Sequence, residues 1–225
     1  MGGLLDIIFP PRCASCHTLG NWICPTCEER IEVIQTPICY RCRRLSADFR
    51  VCPKCRPTGS VSHLMIYGYW QSPLKELVYG LKYYRLKPLV AVLGSWLVET
   101  IRKSDTVADI VIVPVPLHRG RLWDRGFNQA QLLAEVVARQ TGWQLVPVLM
   151  RKKFTQPQFG LNKLTRRDNI QGAFSVRATQ KQFLAHKTVI LVDDIVTTGI
   201  TINECAKILR QNGARDVWGL VLAKA

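Results

Sequence analysis

Val189-Ile190-Leu191-Val192-Asp193-Asp194-Ile195-Val196-Thr197-Thr198-Gly199-Ile200-Thr201 is the stretch that decides how this chain is read. Its apolar start is rich in β-branched residues and suits a strand buried on both faces. Two adjacent acids follow, and a Thr/Gly segment then opens a region of helical spacing over Thr201–Gln211. A helix N-terminus offering hydroxyls and unbonded backbone N–H groups binds phosphate. The carboxylates of Asp193 and Asp194 would repel that phosphate, and they suit sugar hydroxyls or Mg²⁺. Capping explains one acid before a helix, but not two acids, three threonines and a glycine in this order.

Working outward, strand and helix patterns alternate. Leu64–Trp70, Asp109–Val115, Leu145–Leu149, Thr188–Val192 and Asp216–Ala223 read as strands, and Pro73–Tyr83, Lys87–Ile101 and Phe127–Arg139 as helices. In the last of these, Phe127, Ala130, Leu133, Ala134, Val137 and Ala138 share one side. Alternation predicts an α/β fold with a mainly parallel sheet, and ligands of such sheets sit at the carboxyl ends of strands. A second phosphate-binding loop is therefore expected after Val115. There, Arg119, Arg121 and Arg125 can pair with diphosphate oxygens, although an Arg-rich turn is also an ordinary solvated surface. His118 reads as an exposed loop histidine.

The other informative region lies at the opposite end of the chain. Eight of nine cysteines fall at Cys13, Cys16, Cys24, Cys27, Cys39, Cys42, Cys52 and Cys55, as four Cys-x-x-Cys pairs. Each pair sets two sulfurs on one side of a tight turn, and two pairs complete a tetrahedral S₄ site. Two structural zinc ions are expected, paired either in sequence order or as an interleaved cross-brace. Disulfides, redox dithiols and an iron–sulfur cluster are the competing uses of such cysteines. Closed S₄ sites leave no open coordination position, so the role is structural. The head has little apolar material, and metal binding contributes its folding energy. Cys205 has apolar helical neighbours and reads as a core thiol.

Residues 56–62 are rich in small and turn-forming types and read as a linker. This divides the chain into a double zinc-ribbon module over 1–60 and an α/β domain over 61–225. The formal charge of +15 is uneven: +3 over residues 1–62 and +12 over residues 63–225. A basic domain suits an anionic ligand, a phosphorylated metabolite or nucleic acid. Residues 151–167 carry Arg151, Lys152, Lys153, Lys163, Arg166 and Arg167 with Phe154 and Phe159 and no acid. Basic residues interleaved with aromatics fit single-stranded DNA, and Lys152, Lys153, Arg166 and Arg167 are the candidates. A flap closing on diphosphate and a solvated face are the alternatives. The sequence has no apolar run of about 18 residues and no basic n-region, so the expectation is a cytoplasmic protein without a transmembrane segment.

Val189–Thr201 closely resembles the 5-phosphoribosyl-1-diphosphate (PRPP) motif of type I phosphoribosyltransferases. The resemblance implies that Asp193 and Asp194 contact the ribose hydroxyls and that Thr197, Thr198, Gly199 and Thr201 hold the 5′-phosphate, with Mg²⁺ accompanying PRPP or a related nucleotide. Thr197 stands where the 6-oxopurine enzymes carry an acidic base, which disfavours hypoxanthine/guanine-type activity. The whole chain is similar to the ComF family of competence-associated proteins, also called the GntX group. It shares the four-knuckle head, Gly80-Leu-Lys82, Pro114-Val-Pro116, Arg125-Gly-Phe-Asn-Gln129, Arg151 with Thr155-Gln156 and Leu161, Arg166-x-x-Asn169 and Gly172-Ala-Phe174. That likeness implies a type I phosphoribosyltransferase-like domain behind the zinc head, with a role in natural competence, DNA uptake or use of external DNA. It implies DNA-uptake machinery as partners and single-stranded DNA as a contact. The alternative is an active phosphoribosyltransferase, a glycosyltransferase of nucleotide salvage or metabolism, whose acceptor no residue identifies.

Overall fold

A computed structural model describes residues 10–104, 108–152, 170 and 172–225. Its centre is a five-stranded, all-parallel sheet in the order β1-β7-β6-β2-β3. The strands are β1 (His63–Tyr69), β2 (Ile110–Pro114), β3 (Gln144–Leu145), β6 (Thr188–Val196) and β7 (Asp216–Lys224). A small antiparallel pair, β4 (Leu149–Arg151) and β5 (Phe174–Val176), stands apart from it. The single strand expected over Leu145–Leu149 is thus two, with Val146 and Val148 buried between them.

The helices, in chain order, are α1 (Pro25–Glu29), α2 (Leu74–Tyr83), α3 (Leu89–Ile101), α4 (Arg119–Arg125), α5 (Gln129–Thr141) and α6 (Ile200–Gln211). Ile190, Val192, Leu220 and Leu222 face a core filled by α2, α3 and most of α5. Val189, Leu191, Val217 and Val221 face the opposite core, which holds Ile202, Cys205, Ala206 and Leu209 of α6. Successive strand residues therefore bury on alternate faces, which is why β6 and β7 read as continuous apolar runs. Cys205 is fully buried, as its apolar neighbours predict.

The expectation of two cores separated by residues 56–62 requires correction. Ile34, Cys39, Tyr40, Val51 and Val61 belong to the same apolar cluster as β6, β7 and α6. The end of the presumed linker is built in: Ser60, Val61 and Ser62 are buried. The Ser62 N–H donates to the Val217 carbonyl at 2.9 Å, and its hydroxyl donates to Asp216 at 2.7 Å. Small and polar residues signal a linker only when nothing claims their hydrogen bonds. Here β7 does.

The head also closes the open edge of β1. The Ile34 N–H donates to the Tyr67 carbonyl at 2.8 Å, and the Tyr69 N–H donates to the Glu32 carbonyl at 3.1 Å. A Cβ at Gly68 would lie 2.8 Å from the Glu32 oxygen, so the close approach requires glycine. Covering the edge satisfies backbone groups that would otherwise template aggregation.

Candidate functional site: a phosphate cleft beneath a zinc knuckle

Where β2 and β6 end, their following segments diverge around a cleft of about 240 Å³. Its lining includes Lys82, Arg121, Arg125 and Arg151 on the cationic side and Asp193 and Asp194 on the acidic side, with Thr197–Thr201 along one wall. Four cations against two acids favour an anionic ligand.

Each wall has a local cause. The strand carrying the acids runs on to Val196, four residues past the expected end at Val192, so Asp193 and Asp194 lie within the ladder. Alternation in β6 buries Asp194 fully and Asp193 in large part. Asp194 is held by Lys82 at 2.8 Å through Oδ1, while its Oδ2 is buried with no hydrogen-bond donor among the described residues. An orphaned buried carboxylate oxygen is costly unless a ligand supplies the donor, and a sugar hydroxyl is such a donor. Burial, together with the Asp194 carboxylate beside it, pushes the Asp193 carboxyl up to about 7. The pair thus suits hydroxyl donors or an accompanying Mg²⁺, as the chemistry of two adjacent carboxylates requires.

Gly199 is the N-cap of α6, with φ +78°, in the left-handed region that favours glycine. An added Cβ would meet the Tyr40 ring and hydroxyl at 2.8 Å. The residue crowding this glycine thus comes from the zinc head, between Cys39 and Cys42. The Tyr40 hydroxyl accepts from Asn203 Nδ2 at 2.9 Å, and Asn203 Oδ1 accepts from the Val61 N–H at 3.4 Å. Head, α6 and the Thr197–Thr201 loop meet at this ring.

The segment after β2 is α4, a short helix in place of the expected loop. His118 caps it by accepting from the Gly120 N–H at 3.1 Å, which corrects the reading of this residue as merely exposed. Arg121 and Arg125 line the cleft, and Arg125 donates to Gln129 at 2.6 Å. Arg119 is exposed and is not part of the lining. Asn128 ties this wall to the sheet, accepting from Ala130 and donating to the Val115 carbonyl at 3.0 Å. Of the DNA candidates, Lys152 is exposed beside the cleft residue Arg151, and Lys153, Arg166 and Arg167 lie outside the described residues.

Sequence reasoning assigned no role to Lys82, Tyr40 or Asn128. Gly80-Leu-Lys82 and Asn128 stood in recognised motifs, but their partners are remote in sequence. Tyr40 sits between metal ligands and carries no signal of its own there.

The eight head cysteines form two groups in sequence order: Cys13, Cys16, Cys24 and Cys27, then Cys39, Cys42, Cys52 and Cys55. Within each group all sulfurs lie within 4.8 Å of one another. A tetrahedral zinc with bonds of about 2.3 Å spaces its sulfurs about 3.8 Å apart. Cys16 to Cys24 and Cys42 to Cys52 are each 3.5 Å, so both groups fit zinc without rearrangement. Sequential pairing is the arrangement found, and the cross-brace is not. These are two Cys₄ sites of zinc-ribbon type.

Fold and sites together define a double zinc ribbon fused to a parallel α/β domain with a cation-lined cleft at the strand ends. The double zinc ribbon domain model matches residues 4–56. Competence protein F of Haemophilus influenzae is 32% identical over 228 residues, covering 94% of this chain and 97% of that protein. The DNA utilization protein YhgH of Salmonella typhimurium is 30% identical over 220 residues, covering 92% and 94%. The chain belongs to the competence protein F (ComF) family. Among solved structures, glutamine PRPP amidotransferase from B. subtilis complexed with ADP and GMP aligns over 59% of this chain and 26% of its own. Its TM-score is 0.40 and its identity 18%. Among the described residues, no helix is long and apolar enough to cross a membrane.

Proposed function

We infer that this protein serves natural competence or the use of external DNA in the cytoplasm, through a site that binds PRPP or a related nucleotide and a surface that contacts single-stranded DNA. The DNA role is carried over from relatives named competence protein F and DNA utilization protein, which match over nearly the whole chain. The observation that carries the ligand is the acid pair set against the Thr198–Thr201 helix start, with Asp194 Oδ2 awaiting a donor. In this reading Asp193 and Asp194 hold the ribose hydroxyls. Thr197, Thr198, Gly199 and Thr201 hold the 5′-phosphate, and Arg121 and Arg125 face the diphosphate; Arg119 stays a candidate from outside the cleft. Bound Mg²⁺ would supply charge neutralisation at the diphosphate. Calorimetry with PRPP and Mg²⁺ is the test: saturable binding that Asp193→Ala/Asp194→Ala weakens is expected, and no binding by the wild type would end the reading.

The cationic lining also favours a second reading, an active phosphoribosyltransferase, because positioned guanidinium groups stabilise a leaving diphosphate. Diphosphate release from PRPP in the presence of candidate acceptors separates the two. The candidates Lys152, Lys153, Arg166 and Arg167 belong to the DNA-contact part of the proposal, tested by their joint change to Ala and the salt dependence of binding.

A further inference from the structure

The lip of the cleft carries an unusual surface. Tyr83 is 64% exposed, Tyr84 76% and Trp123 89%. Single exposed aromatics need no explanation, but these three come from two segments that touch each other. Arg85 donates to the Asp124 carbonyl at 2.6 Å, and the Arg125 guanidinium lies 5.6 Å from the Tyr83 ring centre. The rings therefore stand on one lip, where the end of α2 meets α4.

The charge of that lip is one-sided. Residues 82–87 hold three cations and no acid, and residues 119–125 hold three cations and one acid. Tyr83, Arg121 and Arg125 also line the phosphate cleft, so lip and cleft are continuous. Tyr83 and Tyr84 also border a hollow with Ala14, Glu76 and Tyr79. Within the two segments of the lip, however, the rings are spaced among guanidinium and ammonium groups, which is the pattern of a stacking platform beside a backbone-neutralising track.

We propose that this lip is a binding surface for an unpaired polynucleotide strand, with bases stacked on Tyr83, Tyr84 and Trp123 and phosphates held by Arg85, Lys87 and Arg119. It rests on the DNA-contact reading above and adds a surface outside residues 151–167. It also gives a place to Arg119, which the phosphate cleft leaves outside. Stacking requires a free base face, so the surface discriminates single strands from duplex.

The test is fluorescence anisotropy of the full-length, zinc-loaded protein with labelled oligothymidylate of about 20 nucleotides, longer than a single site of this kind. Tyr83→Ala/Tyr84→Ala/Trp123→Ala is expected to weaken binding at least about tenfold with an unchanged salt slope. Tyr83→Phe/Tyr84→Phe/Trp123→Phe should restore most of the affinity. Arg119→Ala should instead lower the log–log salt slope by about 0.7, one phosphate's share on a single strand. Trp123→Ala alone, a nearly fully exposed position, guards against a folding artefact and should still lose several-fold. Unchanged affinity in the triple Ala variant, or an equal loss on duplex of the same sequence, overturns the inference. Absence of any oligonucleotide binding by the wild type overturns the DNA-contact reading itself.

Discussion

The two zinc knuckle pairs are near copies of each other, yet they touch different parts of the molecule. In the first, the Cys13 N–H donates to the Thr18 carbonyl at 2.8 Å and the His17 N–H to Cys13 at 2.9 Å. In the second, Cys39 donates to Arg44 at 2.8 Å and Arg43 to Cys39 at 2.8 Å. His17 and Arg43 even share a left-handed conformation, with φ of 64° and 61°. Their surroundings differ. The first site leans on the α2–α3 side, through Glu28 accepting from Trp96 Nε1 at 3.3 Å and Ala14 packing near Gly80. The second enters the core shared with β6 and α6 and places Tyr40 against Gly199. One metal motif, used twice, packs against α2 beside Gly80 in one copy and stands behind Gly199 in the other.

Removing the metals is the strongest way to break this comparison. A structural zinc supplies about 10–16 kcal/mol of folding free energy in isolated ribbons. Cys39→Ser/Cys42→Ser should therefore unfold the second knuckle and, because its core is shared, take the α/β domain with it. Cys13→Ser/Cys16→Ser should leave the sheet folded, with one zinc per chain and PRPP binding retained. Metal analysis and thermal melts of both variants check this. Equal damage from the two would mean that the knuckles are interchangeable braces.

Tyr40 sharpens the same contrast at a single residue. Tyr40→Ala empties a buried aromatic site and should cost about 3–5 kcal/mol while loosening the loop at Gly199. Tyr40→Phe keeps the ring and loses only the bond to Asn203, about 0.5–1.5 kcal/mol. Chemical denaturation and PRPP calorimetry on both variants give the two readouts. Gly199→Val should fail for a double reason, a positive φ and a collision with Tyr40.

The acid pair is the ligand-side control. Asp193→Ala/Asp194→Ala should lower PRPP affinity about tenfold or more, since a hydrogen bond to a charged group is worth about 1.5–3 kcal/mol. It also strands Lys82 in the cleft, so Asp194→Asn is the milder companion variant for checking the fold by circular dichroism.

The remaining expected effect is that of pH. In the folded protein the Asp193 carboxyl is raised to about 7 from its ordinary 3.8. Between those values the folded state holds a proton that the unfolded state releases, so this group's contribution to stability falls as pH rises toward 7. A carboxylate accepts from ribose hydroxyls better than a carboxylic acid does, so PRPP affinity should rise over the same range and level off above it. Calorimetry on either side of neutrality checks the sign, and Asp193→Asn should flatten the profile.

Much of this was legible in residue order because the relevant forces are local. A β-branched run followed by two acids and a Thr/Gly turn specifies a strand, a strand end and a helix start within 13 residues, Val189–Thr201. The Cys-x-x-Cys turns are similarly self-contained. Strand limits were less legible. β6 continues through Asp193 and Asp194 because β7 pairs with it as far as Lys224, and local propensity argues against acids in a strand. The end of segment 56–62 was illegible for the same reason, since Ser62 bonds to β7, more than 150 residues away.

The sequence by itself specified two sets of chemically distinctive residues in this protein, thiolates spaced for metal and an acid pair at a strand end before a Thr/Gly helix start. Both stand at fixed short spacings, where the backbone has few choices. Tertiary structure alone decided that the two sets meet. It paired the knuckles in order, put Lys82 on Asp194, and brought Tyr40 across some 160 residues to Gly199. Those contacts depend on which faces of β1, β6 and α6 bury together, and burial is a property of the assembled core that no short stretch of sequence encodes.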